Sequence, residues 1–253
     1  MKLSHRTRRI ISVLAVLGIV GIWLVANPSN YESSPITPDG SVEPLGVTSE
    51  QASDDQTDGS QANSSQAKLA KTVLEQLEIK GRAPKTGYAR TEFYKSWPNV
   101  DGCSLRQVII KRELGDSAVL DGCDVISGTF TEPYTGSVMT FYQKSDLSKK
   151  IQIDHIVALS DAWQKGAQYK SPEDRYKIAT DPLNLIAVDG PANQQKSDGD
   201  AATWLPPNKS FRCQYVARQV SVKYKYGLWV SQAEHDAIAD ILKSCPNEPA
   251  VGI

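Results

Sequence analysis

Residues 151 to 198 restrict the fold more than any other stretch. They run Ile151-Gln-Ile-Asp154-His155-Ile-Val-Ala-Leu, then through a helical excursion, then Leu183-Asn184-Leu-Ile-Ala-Val-Asp189-Gly-Pro-Ala-Asn193-Gln-Gln-Lys196-Ser-Asp198. Two short apolar runs of strand length bracket the excursion. Within it, Ser171-Pro172-Glu173-Asp174 reads as a helix start, with Ser as N-cap, Pro at the first position and acids in the first turn. Gly190-Pro191 opens a further helix that carries Asn193 in its first turn. The expected order is strand, insertion, strand, helix, with polar groups at the end of the first strand and the start of the last helix.

The flanks predict a mixed α+β domain. Leu69, Ala70, Val73, Leu74 and Leu77 recur at helical spacing over 67–77, and a second helix is expected over 91–97. Cys103 to Arg112 suits a helix or a strand. Runs at 124–126 and 138–141 flank the turn Glu132-Pro133-Tyr134-Thr135-Gly136, the pattern of a β-hairpin. Cys213 to Tyr226 is helical and ends at Gly227, and Ser231-Gln-Ala-Glu234 is a capping box opening a last helix to Lys243. Four cysteines, Cys103, Cys123, Cys213 and Cys245, form an even set that suggests two disulfides, with three pairings open from sequence. Zinc is the weaker alternative, because no two cysteines stand in C-x-x-C spacing. An antiparallel pair of C-terminal helices would put Cys213 beside Cys245 and leave Cys103 to bond Cys123.

Charge divides the 253 residues into three parts. Residues 1–26 hold no acids and four Lys/Arg, all of them ahead of an uncharged apolar run over 10–26, an export signal that is either cleaved or kept as a membrane tether. Residues 27–66 hold seven acids and no Lys/Arg, are rich in Ser, Pro, Gln and Gly, and read as a disordered linker. Subtracting both from the totals of 28 basic and 29 acidic residues leaves 24 against 22 for 67–253. Such a near-neutral domain cannot bind polyanions through bulk charge, so any such contact has to be local. The expected location is secreted or at the cell surface.

The ordered set D-H at 154–155, N at 184 and N-x-x-K-x-D from 193 resembles the ββα-metal (HNH) nuclease finger. The wider stretch from about Tyr88 to Cys245 includes Glu132-Pro-Tyr-Thr-Gly136, I-D-H-I-V-A-L-S-D-A-W, D-P-L-N-L-I-A-V-D-G, W-L-P-P-N at 204–208 and K-Y-G-L-W-V. It is similar to secreted bacterial HNH-family proteins once grouped as a domain of unknown function. Those are related to the C-terminal nuclease domain of modification-dependent restriction enzymes.

This resemblance implies an HNH nuclease domain over 67–253, its finger core at 150–199, that hydrolyses phosphodiester bonds. His155 is the implied general base, since imidazole titrates in the range needed to activate water. Asp154 and Asn193 are the implied ligands of one divalent metal, Mg2+ or Mn2+. Asn184 belongs to the catalytic set by the same match, in a structural role tying the strands together. Lys196, one turn beyond Asn193, is a candidate phosphate contact, and Lys149 and Lys150 are further ones. The implied substrate is nucleic acid, DNA ahead of RNA, with no small-molecule cofactor. The competing expectation is a non-catalytic binding module on the same scaffold.

The plainer readings concern the remaining polar and aromatic residues. His235, between Glu234 and Asp236, reads as a surface residue, and Asp198 as a partner of Lys196 or part of a polar turn. Trp97, Trp163, Trp204 and Trp229 read as core. Arg212, Arg218, Lys223 and Lys225 give one helix a basic bias that suits a nucleic-acid backbone and a solvated face equally.

Overall fold

The computed structural model describes residues 68–253; the expected export signal and linker lie outside the described residues. In chain order the elements are α1 (Ala70–Leu74), β1 (Asn99–Val100), β2 (Cys103–Ser104), α2 (Leu105–Leu114), β3 (Val119–Asp121), β4 (Asp124–Thr131) and β5 (Val138–Phe141). They continue with α3 (Lys144–Lys150), β6 (Ile151–His155), α4 (Leu159–Gln164), α5 (Pro172–Thr180), β7 (Leu185–Asp189), α6 (Gly190–Lys196), α7 (Arg212–Lys225) and α8 (Gln232–Lys243). The fold is α+β, with three small antiparallel sheets, β1-β2, β3-β4-β5 and β6-β7. No helix among the described residues is long and apolar enough to cross a membrane.

The β6-β7 pair is central. Its register sets Ile153 opposite Ala187, Asp154 opposite Ile186 and His155 opposite Leu185. Successive strand residues face opposite sides, and both sides here are covered. Ile151, Ile153, Leu185 and Ala187 join a core with α2, β4 and β5, while Ile186 and Val188 join another with α1, α7 and α8. Burial on both faces explains why β7 reads as an unbroken apolar run rather than an alternation. Arg112 of α2 and Arg218 of α7 clasp the turn leading into β7, Arg112 donating to the carbonyl of Pro182, Arg218 to that of Leu183, and both to that of Leu185.

Local signals at the helix starts behave as their chemistry requires. Ser171 accepts from the Asp174 amide and Ser231 from the Glu234 amide. The cysteines pair Cys103–Cys123 and Cys213–Cys245, as the antiparallel α7 and α8 require, which sets the zinc alternative aside. Two expectations fail. The helix over 91–97 is a single 3-10 turn at Arg90–Glu92, because Pro98 holds the residue before it out of the helical region and Arg175 captures the Glu92 carbonyl. The first helix covers only Ala70–Leu74, since Leu69 is extended and bridges Pro249.

The segment between α1 and β1 has almost no regular structure and is nonetheless pinned. Its Ala83 amide donates to the Gln164 carbonyl, Trp163 Nε1 donates to the Thr86 carbonyl, Phe93 is buried, and Arg175 donates to both the carbonyl and the carboxylate of Glu92.

Candidate active site

A cleft of about 340 Å³ lies at the open end of β6. Asp154 and His155 line it from the strand, and Asn193, Gln194, Ser197 and Asp198 from α6 and the turn after it. Ala158, Leu159 and Ser160 line it from the start of α4, and Lys85, Tyr88 and Arg90 from the pinned segment. The adjacent residues Asp154 and His155 occupy opposite strand faces, so only the end of the strand lets both reach one space.

His155 is 3% exposed, and its Nε2 lies 3.0 Å from the Ala179 carbonyl oxygen. A carbonyl only accepts, so Nε2 carries the proton and Nδ1 keeps its lone pair. Burial, joined by the nearby Arg90 guanidinium, pushes the imidazole down to about 3, which leaves it neutral at ordinary pH. Trp97 stacks parallel to the ring, with centroids 6.1 Å apart, so this tryptophan packs on the histidine rather than simply filling core.

Asp154, 7% exposed, is held from behind. Tyr134 donates its hydroxyl to Oδ2 at 2.5 Å, and Lys196 Nζ lies 2.9 Å from Oδ2 and 3.2 Å from Oδ1. Lys196 also donates to the His155 carbonyl at 2.8 Å. The expectation that Lys196 faces substrate phosphate therefore does not fit its placement. Its helical offset of three residues puts it on the Asn193 face, and that face packs inward on β6, burying the ammonium.

Tyr134 lies in a turn that belongs to the family-like stretch Glu132-Pro-Tyr-Thr-Gly136, but no role was expected of it from the sequence. The turn is clasped: Glu132 accepts from the Tyr134 and Thr135 amides, and Asn208 donates to the Pro133 carbonyl. Gly136 has φ +77°, and a Cβ there would meet the Asn208 side chain at 3.3 Å. The phenol ring packs edge-on to Trp204 and Tyr215.

Asn193 Nδ2 donates to Gln152 Oε1 at 2.8 Å, which leaves its carbonyl oxygen available to the cleft. Asn184 is fully buried and bridges chain segments, with Oδ1 accepting from the Val157 amide at 2.8 Å and Nδ2 donating to the Ile178 carbonyl at 3.0 Å. Lys149 and Lys150 are exposed at the end of α3 and do not line the cleft. Asp198 pairs with Lys85 at 2.8 Å and accepts from Ser160 at 3.1 Å, so it sits in the polar turn that ends α6, as one of its two expected roles has it, and does not partner Lys196. His235 lies beside Asp236 and Glu75, away from the cleft.

The basic bias of α7 is spent internally. Arg212 donates to the Pro206 carbonyl, Arg218 to the turn before β7, and Lys225 pairs with Asp181 at 2.6 Å. Lys223 enters a buried ion cluster. In it Lys165 lies 2.8 Å from Asp161, 2.8 Å from Asp200 and 2.5 Å from Glu234, while Lys223 lies 3.1 Å from Asp161 and 2.8 Å from Glu234. Arg82 closes the cluster from the outside, 3.1 Å from Asp161 and 2.7 Å from Asp200.

The site's chemistry suits a hard divalent cation. A carboxylate has about four lone-pair positions; Lys196 and Tyr134 engage three, leaving one on Asp154 Oδ1 for the cleft. With the Asn193 amide oxygen this makes two oxygen donors, a thin set that leaves places for water and a phosphate oxygen.

The family described as the C-terminal domain of GmrSD restriction endonucleases matches residues 105–241, more than half of the chain. A protein of Arthroderma benhamiae named an uncharacterized secreted protein is 34% identical over 183 residues, covering 71% of this chain and 86% of its own length. No solved structure matches. The matched region spans Asp154, His155, Asn184 and Asn193, and the chain belongs to the GmrSD restriction endonuclease C-terminal domain family.

Proposed function

We propose that the chain is an exported, metal-dependent HNH endonuclease that hydrolyses phosphodiester bonds of nucleic acid, DNA ahead of RNA. The observation that carries this reading is the meeting of Asp154, His155 and Asn193 on one cleft, with His155 neutral and its Nδ1 left as an acceptor. In this reading Nδ1 takes a proton from water as the water oxygen bonds to phosphorus and the bond to the departing ester oxygen breaks. Asp154 and Asn193 would hold Mg2+ or Mn2+, which when bound supplies charge stabilisation at the phosphate and at the departing oxygen. Asn184 fixes the entry to β7 and, through the Val157 amide, the chain just after His155. The secreted relative supports export.

Plasmid cleavage by the purified chain tests the reading. Cutting is expected with Mg2+ or Mn2+, is abolished by EDTA, and falls by about 10²–10⁴-fold in His155→Ala, the usual contribution of a positioned base. Cleavage that survives both changes refutes it. The second reading, a non-catalytic binding module, draws on the pairing of Lys196 with Asp154, which occupies much of the implied ligand. Binding of duplex without any cleavage selects that reading.

A further inference from the structure

Arg90 stands out among the cations around the cleft. It lines the cleft with Asp154, His155 and Asn193, it is exposed, and no carboxylate among the described residues pairs with it. Its neighbour on the rim, Lys85, is by contrast already paired with Asp198. Two of the guanidinium's donors, Nε at 3.1 Å and Nη2 at 2.5 Å, meet the Tyr94 hydroxyl, and the group lies 5.3 Å from the centre of that ring. Arginine has five N–H donors in a rigid fork, so three remain. The base of the side chain is fixed as well, because Arg90 opens the 3-10 turn whose Glu92 is held by Arg175 and whose C-cap Phe93 is buried.

We infer that Arg90 is a substrate-contacting residue of this site, its free N–H groups engaging the non-bridging oxygens of the phosphate presented to His155. The inference rests on the nuclease reading and adds a residue to it. Arg90 lies outside the family match at 105–241, so the phosphate contact comes from a segment the matched region does not contain. Planar, bidentate recognition of phosphate is what a guanidinium does and an ammonium does not. Placed against a phosphate whose charge grows during attack, such a donor acts mainly on the transition state. Lys196 cannot fill this role, since its ammonium is buried behind Asp154.

The test uses the full chain, a supercoiled plasmid for cleavage, and a fluorescein-labelled DNA duplex whose binding is followed by anisotropy in EDTA. Arg90→Ala is expected to lower kcat/KM by about 10²-fold, the loss typical of one transition-state donor. It is also expected to flatten the slope of log affinity against log salt by about one. Arg90→Lys is expected to restore the salt slope but little of the rate. Thermal unfolding of both variants should match the wild type, since the side chain is exposed.

Wild-type rate and salt slope in Arg90→Ala overturn the assignment and leave the nuclease reading intact. A displaced pH profile with unchanged maximal rate and unchanged binding also overturns it, because Arg90 would then act only through its charge on His155. A wild-type chain that cuts neither DNA nor RNA removes the nuclease reading and the assignment together, an outcome distinct from the other two.

Discussion

The cleft in front of His155 and the ion cluster around Lys165 are both dense in charge, and α4 feeds both, Ser160 reaching one and Asp161 the other. In the cluster, Asp161, Asp200 and Glu234 meet Lys165, Lys223 and Arg82, and every ionised group has at least two partners of opposite sign. In the cleft the bonding stops short: Asp154 keeps a lone pair, Asn193 an amide oxygen, His155 a ring nitrogen and Arg90 three donors. Closed pairing gives structure, whereas pairing closed on one side only leaves groups oriented and still reactive. The buried lysines carry the contrast most clearly, since Lys165 is sealed among acids while Lys196 braces a carboxylate whose other side is open.

Matched substitutions can break that contrast. Lys165→Met should produce the largest stability loss, about 3–5 kcal/mol in urea unfolding, because it strands buried carboxylates. A loss of about 0–1 kcal/mol, as for an exposed pair, would end the claim that the cluster is a structural unit. Lys196→Met should cost less, about 1–3 kcal/mol, since water from the cleft can reach Asp154. With the competing ammonium gone, Mn2+ should raise the melting temperature of this variant more than that of the wild type. Equal costs for the two lysines would mean that the cleft is as sealed as the cluster.

Tyr134→Phe probes the same carboxylate from its other side, with an expected cost of about 1.5 kcal/mol by denaturant unfolding; no cost would show that the phenol does not restrain Asp154. The smallest effect belongs to acid. Bonds from Lys165 and the charges around it hold Asp200 down to about 2 against an ordinary 3.8. A depressed carboxylate stabilises the fold above its unfolded value and loses that contribution as pH falls toward its folded one. By linkage this residue alone should give up about 1 kcal/mol by about pH 3. Asp200→Asn should remove that part of the acid sensitivity, and unchanged sensitivity in the variant would place it elsewhere.

What could be read from sequence followed locality. Ser171, Ser231, the hairpin over 124–141 and the cysteine pairing all depend on neighbours a few residues away or on two adjacent helices. The cluster depends on residues 82, 161, 165, 200, 223 and 234, and nothing local marks any of them as its members. Glu234 shows the limit well. As the fourth residue of S-Q-A-E it reads as the reciprocal half of a capping box, yet its carboxylate is fully buried against Lys165 and Lys223. The bonds of Lys196 and Tyr134 to Asp154 were hidden for the same reason, since Asp154 is 42 and 20 residues distant from them, although Lys196 itself was singled out for another role.

The backbone pairing at the two ends of the domain constrains the order of its assembly. The Ala70 amide donates to the Glu248 carbonyl, and the Ala250 amide donates to the Lys68 carbonyl. A ribosome releases residue 68 long before residue 250, so the first stretch of the domain waits unmatched for the last, and this contact closes only after residue 250 has emerged. The pairing also makes this seam a natural place to join the ends and open the chain elsewhere.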